Sequence, residues 1–154
     1  MFEIREDDLS GAVTQSLIAL HSQGMHAASP PGTVFALDLS GLKAPEVTVW
    51  TVWLGEKIAG VGALKMLSPH QAELKSMRTH PDFLRQGVGA LVLDHILKEA
   101  GRRGLKKVSL ETGNGPAFEP ALALYRKSGF ISGEAFSDYL PSPFNDFYHL
   151  ALAQ

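Results

Sequence analysis

The run from Ala72 to Gly104, AELKSMRTHPDFLRQGVGALVLDHILKEAGRRG, limits the choice of fold more than any other part of the chain. Ala72 to Thr79 reads as a strand, and Pro81 then breaks the extended run. From about Val88 to Arg103, the apolar positions Gly89, Val92, Leu93, Ile96, Leu97 and Ala100 recur at helical spacing. Asp94 with Lys98 and Glu99 with Arg103 are acid-before-base pairs on the outer side, and Gly104 supplies the stop. A helix with one apolar stripe must bury it, and the strand just before it makes a sheet the natural surface. The helix start is also an anion site. Its first amides lack intrahelical acceptors and stand at the positive end of the macrodipole. Gly87 and Gly89 carry no Cβ, so the backbone of Gln86, Gly87, Val88, Gly89 and Ala90 can wrap a diphosphate closely. Glycines before a helix are equally ordinary turn chemistry, so this motif alone does not choose a function.

A length of 154 residues suits one domain with one core, spanning 1–154. With 45% hydrophobic and 19% charged residues, the composition is that of a globular chain. The net charge of −2 gives no basic field for nucleic acid. Arg102, Arg103, Lys106 and Lys107 read instead as a helix C-terminus complementing its dipole. Cysteine is absent, which removes disulfides and a thiol nucleophile. The start MFEIREDD is acidic with no apolar run behind it, so neither a signal peptide nor a membrane span is expected, and the default location is cytoplasmic. The histidines His21, His26, His70, His80, His95 and His149 show no metal-ligand spacing, so no metal is expected.

In chain order, Phe2 to Arg5 alternates as a short strand. Asp7 and Asp8 are N-cap candidates for a helix from about Leu9 to Ala27, with Leu17, Ile18, Leu20 and Met25 as its apolar face. Ser29 to Gly32, SPPG, stops that helix. Thr33 to Leu42 reads either as a short helix or as a loop. VTVWTVWL from Val47 and IAGVGALKM from Ile58 to Met66 form a hairpin about LGEK. Gly60 and Gly62 mark a bulge or leave room for something packed against them. Trp50 and Trp53 are expected on opposite faces of their strand. KKVSLET is a further strand, and Pro120 can open the helix ALALYRKS, which Gly129 closes. Phe130 and the segment Phe144 to Leu152 read as final strands joined by the loop Tyr139 to Pro143. The sum is one α/β domain around a mixed sheet.

The GVG turn and the stretch Leu124-Tyr125-Arg126-Lys127-Ser128-Gly129-Phe130 together resemble the GNAT family of acyl-CoA N-acetyltransferases. The string ETGNGPAFEPALALYRKSGF followed by FSDYLPSPFNDFYHLAL is similar to a bacterial subgroup of small acetyltransferases. The resemblance implies a mixed, mostly antiparallel sheet of about seven strands with about four helices. It implies acetyl-CoA as co-substrate, its pyrophosphate on the amides of Gln86 to Ala90 with Arg85 supplying charge. It further implies that the pantetheine arm pairs with the main chain of Met77, Arg78 and Thr79, and that a backbone amide near Met77 meets the oxyanion. Tyr125 is implied as the general acid toward the departing thiolate. Its plain alternative is a core tyrosine on the stripe with Ala121 and Leu124.

An alkyl ammonium must lose a proton before it attacks a thioester. Glu73, at the family's spacing before Gly87, is the first candidate base. Glu111 on the adjacent strand is the second, acting directly or through water, and either also reads as an ion-paired strand carboxylate. Two positions depart from the family pattern: Leu84 replaces a polar residue three before Gly87, and Phe118 replaces an asparagine, for which Asn114 is a substitute. The expected acceptor is a small-molecule or amino-acid-like amine, in a pocket built from the N-terminal helix, Ser29 to Leu42 and Tyr139 to Asn145. The alternatives are a non-catalytic acyl-CoA-binding regulatory domain and an acetyltransferase acting on a protein or peptide amine. Dimers are common among similar proteins.

Overall fold

The computed structural model describes residues 1–30 and 37–152. Its elements are β1 (Glu3–Glu6), α1 (Ala12–Ala28), α2 (Leu39–Leu42), β2 (Val47–Leu54), β3 (Lys57–Met66), β4 (Gln71–Thr79), α3 (Val88–Arg102), β5 (Lys107–Gly113), α4 (Glu119–Lys127), β6 (Ile131–Ser132) and β7 (Asn145–Ala151). Short 3-10 turns at Pro81–Phe83 and Pro116–Phe118 precede α3 and α4. The strands form one sheet in the order β1-β2-β3-β4-β5-β7-β6. Only the β4–β5 pair is parallel, because α3 carries the chain back across the sheet between them.

Side-chain alternation in β2 and β3 feeds two cores. Trp50, Val52, Ala59 and Leu64 pack with Val92, Leu93, Ile96 and Ala100 of α3. Val49, Ile58, Val61 and Ala63 pack with Leu17 and Ile18 of α1 and Leu42 of α2. Trp53 joins this second face, so the two tryptophans do lie on opposite sides. The α3 side leaves no room for side chains at Gly60 and Gly62. A Cβ at Gly60 would stand 2.6 Å from Val88, and one at Gly62 would stand 2.7 Å from Met77 and 2.8 Å from Ile96.

The start of α1 differs from the sequence reading. Leu9 is outside the helix with a φ of 69°, and Gly11 is the N-cap with no side-chain hydrogen bond. Asp7 has other obligations: it accepts from the Leu9 amide at 2.8 Å, from Thr14 at 3.1 Å and from Thr51 at 2.8 Å. Tying the chain to β2 in this way outweighs local capping. Leu20 faces solvent, and His21 takes the buried place expected of it. Of the segment read as Thr33 to Leu42, Leu39–Leu42 is helical; residues 31–36, with the end of the SPPG stop, lie outside the described residues. Pro120 is the second residue of α4, after Glu119. Phe130 is a core side chain, and the strand beside it is the two-residue β6.

What positions the site is a parting of strands. β4 pairs with β5 only at Gln71↔Lys107, Ala72↔Val108 and Glu73↔Ser109. Beyond Glu73, β4 bulges against β3, with Ser76 at a φ of 58°, and a cavity opens where the ladder stops.

Candidate active site

The opening between β4 and β5 holds a cavity of about 80 Å³. Glu73, Lys75, Ser76 and Met77 line it from β4, Leu110 and Glu111 from β5, Phe118, Ala121 and Tyr125 from the α4 side, and His21 and Met25 from α1. Ala72 and Leu74 point into the α3 core, so alternation sends Glu73 and Lys75 to the α1 side. Leu110 likewise belongs to the α3 core, which places Glu111 with them.

Glu73 is buried at 2% exposure, yet its charge is matched. Its Oε2 accepts from Lys75 Nζ at 3.1 Å and from the Tyr139 hydroxyl at 2.5 Å, while Lys75 also donates to Tyr139 at 2.8 Å. Burial, and then the bond to Glu73, push the Tyr139 phenol well above its usual range. Among the described residues no cation is in such contact with Glu111. Burial raises its pKa to about 7, against the opposing pull of an Asn145 hydrogen bond and of the Lys75 charge. Asn145 is itself oriented by Ser142, whose amide and hydroxyl both donate to its side-chain oxygen, at 3.1 and 2.9 Å. Tyr125 is buried at 7% exposure with its ring edge-on to Phe130, and burial drives its pKa upward, so it stays a neutral donor. Ser76 contributes a buried hydroxyl without a hydrogen-bond partner.

The loop before α3 forms the second part of the site. Arg85 and Gly87 both have positive φ, 62° and 81°, and no side chain caps the helix start. A non-glycine residue held at positive φ is strained by about 1 kcal/mol, and Arg85 is such a residue. Leu84, Arg85, Gln86, Gly87 and Ala90 are exposed, Gly89 is half-buried, and Val88 is anchored in the core. Thr79 is half-buried at the end of β4. Arg78 sends its side chain to α1, where its Nε donates to His21 Nδ1 at 2.9 Å. Asn114 donates to the Pro143 carbonyl at 2.9 Å and so tethers the loop before β7.

The family model described as "Acetyltransferase (GNAT) family" matches residues 14–130. The chain belongs to this GNAT family. It is 47% identical over 154 residues to the uncharacterized N-acetyltransferase YedL of Escherichia coli K12, covering 100% of this chain and 97% of that protein. It is 46% identical over 140 residues to the uncharacterized N-acetyltransferase YsnE of Bacillus subtilis 168, covering 91% and 93%. The crystal structure of a putative acyl-CoA N-acyltransferase from Klebsiella pneumoniae superposes with a TM-score of 0.84 at 25% identity, over 99% of each chain. The protein is therefore an N-acetyltransferase of the acetyl-CoA-dependent GNAT type, with the seven-stranded, mostly antiparallel GNAT sheet. No helix among the described residues is long and apolar enough to cross a membrane.

Of the polar groups in and around this GNAT cavity, sequence reasoning missed Lys75 and His21, and it placed Tyr139 and Asn145 only as the ends of a pocket-forming segment. Lys75 carried a usable signal, since two residues beyond Glu73 on a strand is the same face. The pairing of Tyr139 with Glu73 carried none, because the two meet across 66 residues of chain.

Proposed function

We propose that residues 1–154 act as one catalytic domain that moves the acetyl group of acetyl-CoA onto the amine of a small molecule, by direct attack in a ternary complex. One observation carries the proposal. Glu111, poised at a pKa of about 7, and Tyr125, a phenol kept protonated, line the same cavity where β4 and β5 part. These are the two proton-transfer groups that aminolysis of a thioester needs.

Acetyl-CoA is the acyl donor, and the chain offers it a fit at both ends. The strained Arg85–Gly87 turn and the uncapped start of α3 suit a diphosphate, with Arg85 adding charge beside the amides of Gln86 to Ala90. The edge of β4 beyond Glu73, from Met77 to Thr79, is released from β5 and suits an extended pantetheine arm laid against main chain. An amide near Met77 faces the developing oxyanion, and a preorganised donor of this kind contributes several kcal/mol.

Glu111 takes the ammonium proton, directly or through one water. Glu73, already accepting from Lys75 and Tyr139, holds those two side chains in place and is the weaker base candidate. The amine then attacks the thioester carbonyl and the C–N bond forms. As the C–S bond breaks, Tyr125 gives its proton to the leaving sulfur, and the second proton of the attacking nitrogen passes through water to restore the phenol. Asn114, engaged by Pro143, acts on the coenzyme side through loop position. The test is calorimetry with coenzyme A and acetyl-CoA, followed by thiol release over an amine panel. Absence of heat from either ligand sinks the reading; heat without turnover on any amine favours a non-catalytic acyl-CoA-binding domain.

A further inference from the structure

On the α1 side of β4, next to the cavity, stands a cation that no carboxylate neutralises. Arg78 is half-buried, and the partners it has are His21 Nδ1 at 2.9 Å and the His21 carbonyl at 3.4 Å. Among the described residues no acidic side chain pairs with it, and residues 31–36, Pro-Gly-Thr-Val-Phe-Ala, contain none. Room for this guanidinium is made on purpose in α1: a Cβ at Gly24 would lie 2.8 Å from Arg78 Nη2. A glycine inside a helix costs roughly 1 kcal/mol relative to alanine, so the arrangement is held at a cost in stability.

The histidine completes a pair of donors. Because Arg78 Nε donates to Nδ1, the imidazole is neutral and carries its proton on Nε2. Burial first, and then the Arg78 charge, hold its pKa down to about 4, so it stays neutral in ordinary buffers. His21 lines the cavity, and the Arg78 guanidinium that donates to its ring stands against it. The same cavity is lined by Glu111 and by the Glu73–Lys75 pair. Lys75 already matches Glu73, which leaves Glu111 and the pair of Arg78 with His21 as the groups still to be complemented.

We infer that the acceptor of this acetyltransferase is a zwitterion, an amino acid whose ammonium group lies toward Glu111 and whose carboxylate is held by Arg78 and His21. The inference rests on the proposed transfer to an amine and narrows its substrate class. An Arg–carboxylate contact aims the amine as well as binding it, since a planar guanidinium fixes the orientation of its partner. Arg78 thus serves the coenzyme with its main chain and the acceptor with its side chain.

The experiment is thiol release from acetyl-CoA with the full chain, over α-amino acids and short ω-amino acids, each beside its carboxamide and its decarboxylated amine. The expected result is that kcat/KM for the best amino acid exceeds that for its own amide and amine by about tenfold or more. Arg78→Gln should bring that ratio to near one, chiefly through KM. Should Arg78→Gln fail to fold, His21→Gln reads the same ratio and should also lower it. Amides or plain amines turned over as well as the amino acids overturn this inference while leaving amine acetylation standing. So does a ratio that both variants leave intact. A protein that binds acetyl-CoA and acetylates no member of any series overturns the inference together with the proposed function.

Discussion

Glu111 shows how one side chain can suit a proposed base role and weaken the fold at once. Its carboxyl has a folded pKa of about 7 against an ordinary value of 4.5, with burial as the largest cause. The folded state therefore binds its proton more tightly than the unfolded chain. The group costs nothing well below pH 4.5, the cost accrues as pH rises from 4.5 to about 7, and above that it is complete, on the order of 2 kcal/mol. Glu111→Gln should accordingly raise the melting temperature at pH 8 more than at pH 5, which paired thermal scans will read. The same substitution should lower kcat by about a hundredfold and remove the rising limb near pH 7 from the pH–rate profile. A profile that keeps this limb would transfer the base role to Glu73 or water. Tyr125 makes a complementary case. Tyr125→Phe is expected to lower kcat by about tenfold or more, measured with saturating acetyl-CoA, because a buried neutral phenol is a donor and not a structural charge.

At the scale of elements, the decisive one is the junction of β4 with α3. Gly87 sits at a φ of 81°, where an alanine would be strained by about 1 kcal/mol. Gly87→Ala should therefore weaken coenzyme A binding severalfold in calorimetry while costing only about 1 kcal/mol in denaturant unfolding. Gly62 works through packing. Its missing Cβ lets Met77 and Ile96 meet over β3, so Gly62→Val should force Met77 aside and destabilise by about 1–3 kcal/mol. Both elements were legible in the sequence: the helix from its stripe and its Gly104 stop, and the strand from its alternation. The α1 start was not, because Asp7 is claimed by Thr14 and by Thr51 of β2 instead of capping the helix. A long-range partner outbid the local one.

For the molecule as a whole, the parting of β4 from β5 is the opening that the proposed coenzyme site uses. The ladder between β4 and β5 stops at Glu73, and the loop carrying Tyr139 reaches Glu73 there. A ligand that occupies this opening stabilises the folded state by mass action. Acetyl-CoA at about a hundred times its Kd should contribute about 2.7 kcal/mol and raise the melting temperature by several degrees. A melting temperature that does not respond would count against coenzyme binding. By itself the sequence determined the order of the elements, the apolar face of α3, the glycine turn ahead of it and the motif around Tyr125, because each is written in residues at most a few turns apart. Only the tertiary structure decided which carboxylate carries the raised pKa, that Lys75 and Tyr139 match Glu73, and that Arg78 turns to His21. Those outcomes depend on burial and on partners from distant parts of the chain, which no local spacing encodes.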